Sequence, residues 1–446
     1  MTLPAEARDR YLAAFKRAAA DGTGRPAWLR RLRGEAKDRF LSTGFPGVKD
    51  EDWKYTSVAG IEEREFDIAP RGVGLTSSDV AGFFPEDAAG NVLVFENGRY
   101  RADLSVRRPL PPGVHLGGLS EALSGGGDGL VPNFSRSPAN AFTDLNTMLM
   151  EDGVFLHVGK DVEVPEPVHL LFLTSGGERP VMAHPRNVVV AGEGSRVTVV
   201  ERYAGLSDAG CLVNAVTDIA VGRSATVTHY RLQEDGPDAY HFASLRARQG
   251  TGSRFAAHSV SLGARLSRSE VHAVLDGEDA VCLLNGLYLG NGEQHVDHFT
   301  TIDHARPGGS SREYYRGILD GRSRGVFRGR VIVRKDAQKT DARQANRNLL
   351  LSREAEADSR PQLEIHADDV KCTHGATVGP LDEEKVFYMR SRGIDECSAR
   401  GLLAYAFAVG ILRRFDLPDI RRTFEEKLLA WLPAAGRIRE FLHEPE

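Results

Sequence analysis

Cys372-Thr373-His374, inside the run Asp368-Asp369-Val370-Lys371-Cys372-Thr373-His374-Gly375, is one of two places where residue types and spacing suit metal chemistry. A thiolate and an imidazole are ligand types that iron–sulfur clusters accept. On an extended strand, residues two apart point to one side, so Cys372 and His374 would face a ligand together. Lys371, next to Cys372, would favour the thiolate. Two ligands do not complete a cluster site, so the rest would have to come from elsewhere, a second subunit included. The plainer reading is a cysteine packed as a small hydrophobe beside a hydrogen-bonded histidine. A lone Cys-x-His spacing favours that reading.

The second place is His295-Val296-Asp297-His298, with His304 further on. On a strand His295 and His298 point to opposite faces, and only His298 and His304 share parity. A structural or solvent-facing role is therefore expected. Arg312, Arg316, Arg322, Arg324, Arg328 and Arg330 are expected to solvate a sheet face and blunt strand edges rather than to bind an anion. The chain contains no GxxxxGK[ST], no GxGxxG opening a helix after a strand, no HExxH and no CxxC pair. These absences argue against a self-contained ATPase, dehydrogenase, zincin or zinc ribbon.

The elements that would position these residues fall into three parts, with boundaries expected at 1–129, 130–380 and 381–446. The first is helical and mixed: Tyr11, Leu12, Phe15 and Ala19 share a helical face, and Trp28, Leu29 and Leu32 extend the habit. Ser124–Gly129 reads as a flexible loop or boundary. From about Val154 strands take over, at Val188–Val190, Val197–Val200, Thr226–Leu232, Leu283–Leu289 and Val331–Val333. Gly194-Ser195-Arg196, Gly222-Arg223-Ser224 and Gly252-Ser253-Arg254 each precede a strand-like run, Gly277-Glu278-Asp279 echoes them, and Gly321-Arg322-Ser323 precedes another. Strands recurring at this period with no helices between them predict a stacked β-solenoid, each coil relying on its neighbours for a core. An antiparallel sandwich is the alternative.

After Pro380 the pattern turns helical. Asp382 is the expected N-cap of a helix stopped at Gly393. A second helix runs from Asp395 with Leu403, Phe407, Ile411 and Phe415 in step. A third runs from Asp419 to Trp431, with Pro433 as its stop. The middle helix is apolar nearly all round, as befits one central to its domain or partly covered by another chain.

The 446 residues suffice for two or three such units. The composition, 41% hydrophobic and 27% charged, is that of a soluble protein, and a net charge of −5 gives no reason to expect nucleic acid or an anionic membrane as partner. No apolar stretch would span a bilayer, and Met1–Arg10 does not read as a signal peptide. Four scattered cysteines fit reduced thiols, hence a cytoplasmic or organellar setting.

From His295 to about Phe407 the chain resembles the SufB/SufD family of iron–sulfur cluster assembly proteins, most closely its SufD branch. The match is carried by His304-Ala305-Arg306-Pro307 with Ser310 and Ser311, Tyr315-Arg316-Gly317, Val326-Phe327-Arg328-Gly329 and Ala337-Gln338-Lys339-Thr340. It continues through Asn346–Leu351, Pro361-Gln362-Leu363-Glu364-Ile365, Ala367–Gly379 and Tyr388–Ile394. Gly44-Phe45-Pro46 followed by Asp50-Glu51-Asp52-Trp53-Lys54-Tyr55-Thr56 resembles the family's N-terminal motif. The SufB branch has a cysteine in the stretch matching Gln344–Asn346 and a carboxylate after the histidine. This chain has no cysteine there, and Gly375 follows His374.

The resemblance implies a mainly β fold, a right-handed parallel β-helix flanked by N- and C-terminal helical regions. It implies a non-catalytic subunit of a SufBCD complex that supports cluster formation and iron acquisition, with ATP hydrolysis in the partner SufC. It further implies pairing through the β-helix, near its last strands, with a SufB-like subunit or a second SufD, and docking of SufC on the C-terminal helices. His374, with Cys372 close by, would line the assembly site at that interface, where iron or a cluster would bind transiently rather than as a stable cofactor of this chain alone. Two other readings are a β-helix carbohydrate-active enzyme and a purely architectural homodimer. The first would need carboxylates and basic residues stacked on one outer face, and no Asp or Glu recurs in register with the glycine marks.

Overall fold

The computed structural model describes residues 5–20, 26–69, 74–83, 90–124, 140–176, 179–206 and 210–443. From Val168 onward the chain visits two sheets in turn. Tyr240–Gln249 lies in the first sheet, Arg254–Ser261 in the second, Leu266–Leu275 in the first again. Each strand pairs in parallel with the strand two along, Tyr240 with Leu266 and Arg254 with Val281. The result is a parallel β-solenoid with one strand of each sheet per coil. From Val168 onward a coil takes between 26 residues, from Tyr240 to Leu266, and 32, from Arg324 to Glu356. Alternation sends every second side chain inward, where Val197, Val199, Val213, Ala215, Val227 and Phe255 join one continuous core.

The glycine-marked repeat is the corner between sheets. The corners before the six second-sheet strands that begin at Arg196, Thr226, Arg254, Val281, Ser310 and Asp341 each hold one residue with positive φ: Gly194, Ser224, Gly252, Asp279, Gly308 and Lys339. Each donates its N–H to the next coil, Gly194 to the Arg223 carbonyl, Ser224 to Thr251 and Gly252 to Glu278, all at 2.8 Å. Close stacking accounts for a second column, Gly192, Gly222, Gly250 and Gly277. A Cβ at Gly277 would lie 2.0 Å from the Thr251 nitrogen. The sequence marks thus mix these two columns, and Gly321 belongs to the opposite corner, before the first-sheet strand Arg324–Val333.

The two ends differ. At the start, Val114–Gly118 pairs antiparallel with Val154–Val158 and caps the first sheet. At the finish, Glu356–Ile365 and Lys371–Pro380 each have a neighbour on one side only among the described strands. Helices cover the outer faces between these ends. On the first sheet, Tyr11, Phe40, Phe45, Trp53 and Phe142 pack on Leu212, Tyr240, Phe242 and Leu266. On the second, Ala404, Ala408, Ile411, Leu412 and Phe415 pack on Tyr230, Val260, Leu287 and Ile318.

The helices Glu383–Arg390, Glu396–Leu412 and Pro418–Trp431 lie where the pattern puts them, with Asp382 and Asp395 capping the first two. Glu396–Leu412 is the central one, lying between the second sheet and the other helices. A fourth helix, Ala435–His443, follows Pro433, which ends one helix without ending the helical region. No described helix is long and apolar enough to cross a membrane.

The expected boundary at 129 falls outside the described residues, as does most of the Ser124–Gly129 loop. On either side of it the units interleave. Asn91–Glu96 already pairs into the second sheet, while the helix Ala141–Leu149 packs with Ala27–Thr43 of the N-terminal region.

Candidate functional site

Lys371–Pro380 is the last strand of the second sheet and, among the described strands, pairs only with Asp341–Leu350. Cys372 is in register with Ala342 and His374 with Gln344, both inward-facing and buried. Cys372 and His374 therefore share a side, as strand parity predicts, facing the solenoid interior at its open end. Cys372 is half-buried against the core and His374 is exposed. Burial pushes the Cys372 thiol up, the Asp341 carboxylate adds to this, and the Ala342 N–H only partly offsets it. Lys371 sits on the opposite side of the strand, and the expected stabilisation of the thiolate by Lys371 is not observed. Among the described residues no three His, Cys, Asp or Glu side chains gather as a metal site, so Cys372 and His374 remain a pair.

The Lys371 N–H bonds the Thr340 carbonyl. Alternation then turns the backbone amides of Cys372, His374, Ala376 and Val378 outward, along an unpaired edge. In the other terminal strand the Glu356 and His366 amides bond inward, so Pro361 lies on the open side, where its missing N–H costs no ladder bond. Strand edges of this length are sites for pairing with another chain.

His295, Asp297, His298 and His304 divide as parity requires. His295 and Asp297 face outward, where Thr56 Oγ1 lies 3.0 Å from His295 Nε2 and donates to Asp297 at 2.6 Å. His298 faces inward between the rings of Tyr288 and Tyr315, with centroids at 5.0 and 5.2 Å. His304 also faces inward, 2.9 Å from Ser311 Oγ. Burial lowers His298 to about 3 and His304 to about 4, so both are neutral. Their roles are structural.

The arginine run is structural as well. Arg312 pairs with Asp341 and Arg324 with Asp358, each at 2.6 Å, while Arg328 and Arg330 reach Asp52 and Glu364. The outward carboxylates of the first sheet are already engaged. Asp218 lies between Arg186 and Arg246 at 2.6 and 2.7 Å, Glu270 is 2.9 Å from Arg268, and Asp297 is held by Arg268 and Thr56.

Sequence reasoning missed the polar interior beneath the open end. Glu313, fully buried, accepts a 2.6 Å hydrogen bond from Gln344 Nε2. Burial pushes the Glu313 carboxyl up to about 7, and the Gln344 bond offsets only part of the effect. Nearby, Asn348 and Ser359 donate to Asn346 Oδ1 at 2.7 Å, and Asn346 donates to Tyr288 Oη. A signal existed. Once Arg312 and Arg316 are placed outward, the same alternation turns Glu313 and Tyr315 inward.

Two family profiles match the chain. The one described as "SUF system FeS cluster assembly, SufBD core domain" covers residues 172–407, and the "SufBD protein N-terminal region" covers 5–170. An iron–sulfur cluster assembly SufBD family protein of Synechocystis is 33% identical over 93% of this chain and 93% of its own length. The iron–sulfur cluster assembly protein SufD of Escherichia coli is 30% identical over 90% of this chain and 92% of its own. SufD of Bacillus subtilis is 24% identical over 89% and 92%. With the solenoid, its open end and these matches together, the chain belongs to the SufBD family of iron–sulfur cluster assembly proteins.

Proposed function

We propose that this chain acts as the SufD-type, non-catalytic subunit of a cytoplasmic SufBCD-type complex, in which iron or a nascent cluster is transient cargo. The observation that carries this reading is the pair Cys372 and His374 on an edge strand with outward-facing amides. The pair supplies only part of a ligand set, and it sits where a second chain would bring the remainder. A SufB-like subunit, or a second copy of this chain, would pair along that edge. The helix Glu383–Arg390, directly after the strand, leaves Phe387 and Tyr388 71% and 60% exposed, which suits docking of a SufC-like ATPase on the C-terminal helices. ATP hydrolysis there would shift the paired solenoids and open the site to its cargo.

Co-expression with a SufB-like protein and a P-loop ATPase tests the partnership: a complex of fixed stoichiometry is expected. In that complex, His374→Ala should lower cluster formation, followed by absorbance after anaerobic reconstitution, with the stoichiometry unchanged.

A further inference from the structure

Glu313, Gln344 and His374 occupy one register column on three successive strands of the second sheet. Glu313 and Gln344 are buried and His374 stands at the mouth. Gln344 can present either end of its amide to Glu313. Above pH 7, once its raised carboxyl is ionised, Glu313 only accepts hydrogen bonds and takes the Nε2–H₂ end, the arrangement of the 2.6 Å contact. This fixes the direction of the carbonyl. Gln344 Oε1 is buried and has no hydrogen-bond partner among the described residues. A buried acceptor left in that state is destabilising, so a donor that reached it would be favoured. Gly329 makes room for the amide, since a Cβ there would lie 2.1 Å from Gln344 Nε2.

A neutral imidazole has one N–H and one lone pair, and the partner of the N–H decides which nitrogen is left to bind a ligand. Ligating histidines commonly give the other N–H to a carbonyl or carboxylate. Strands lie about 4.8 Å apart, so long side chains in register reach one another. Resting on the proposed assembly site, we propose that Gln344, locked by Glu313, is a positioning residue for His374: Oε1 receives one ring N–H and leaves the other nitrogen's lone pair for the cargo.

The test uses the full chain, labelled with ¹⁵N-histidine and free of metal, at pH 8.5, where an imidazole is neutral. Long-range ¹H–¹⁵N spectra report the tautomer of His374, identified by its loss in His374→Gln. The ratio of the two tautomers is expected to differ at least threefold between wild type and Gln344→Met. An unchanged ratio in Gln344→Met overturns the proposal. Should Gln344→Met fail to fold, wild type alone decides: a hydrogen-bonded ring N–H is directly observable, and its absence from the spectrum overturns the proposal too. These readouts need neither partner nor cargo, so they stand or fall separately from the assembly reading. In a reconstituted complex, Gln344→Met should lower cluster yield about tenfold.

Discussion

Arg328 and Asp52 form an ion pair at 2.6 Å that ties the N-terminal region to the penultimate strand of the first sheet. Arg328 also donates to the Glu51 carbonyl at 2.7 Å, and Arg360, on the terminal strand, pairs with the Glu51 carboxylate. Trp53 lies against the Arg268 guanidinium, 3.8 Å from ring centroid to carbon. The Asp50–Thr56 motif is thus a strap across the last coils of the first sheet. Arg328→Met keeps the bulk but removes the bonds, and should destabilise the chain by about 2 kcal/mol. Urea unfolding measures this, and limited proteolysis near Asp52 should quicken in the variant.

The close stacking at the corners predicts a sharp contrast between two glycines. Gly277→Ala would drive a methyl group into the backbone of the neighbouring coil, and should destabilise by about 3 kcal/mol or fail to fold. Gly375→Ala, on the open terminal strand with nothing within 4 Å of its added Cβ, should fall within about 0.5 kcal/mol of wild type. Equal melting temperatures for the two variants would argue against the stacking.

Edge geometry separates two prolines one residue apart. Ala376 turns its amide to the open side, so Ala376→Pro should leave the isolated chain folded while blocking a partner strand. Thr377 turns its amide to Asp341–Leu350, so Thr377→Pro should cost about 3 kcal/mol in the isolated chain. Circular dichroism with light scattering or co-purification distinguishes the outcomes. Undiminished pairing in Ala376→Pro would place the interface elsewhere.

Glu313 gives the fold a pH dependence of definite sign. Its carboxyl is raised from an ordinary 4.5 to about 7, so the folded chain holds this proton more tightly than the unfolded one. The contribution is fully present below about pH 4.5 and is lost as pH rises through 7. Glu313→Gln cannot titrate and can still accept from Gln344. Relative to wild type it should gain stability between pH 5 and pH 8, by on the order of 3 kcal/mol at most. A gap that is the same at both pH values would contradict the assignment.

Much of this architecture is legible in the sequence because solenoid coils repeat, and repetition leaves marks at corners. The marks are incomplete for a physical reason. The stacked corner needs a left-handed residue, and Ser224, Asp279 and Lys339 fill it as well as Gly194 does. The shared side of Cys372 and His374, and the split of His295 from His298, follow from strand parity alone. The thiol's environment does not, because Lys371 is adjacent in sequence yet on the other face, and burial dominates. Nor does the link between Glu313 and Gln344, which are 31 residues apart and meet only through the register of successive coils. Chain order likewise hides the interleaving of the N-terminal region with the first coils.

His374 is the centre of the proposed assembly site. Its most direct test is cluster formation by the complex of this chain with a SufB-like subunit and a P-loop ATPase, comparing wild type with His374→Ala under anaerobic reconstitution. A complex of unchanged stoichiometry with a markedly lower cluster yield is the predicted result. An intact complex that forms cluster at the wild-type level would contradict the site assignment.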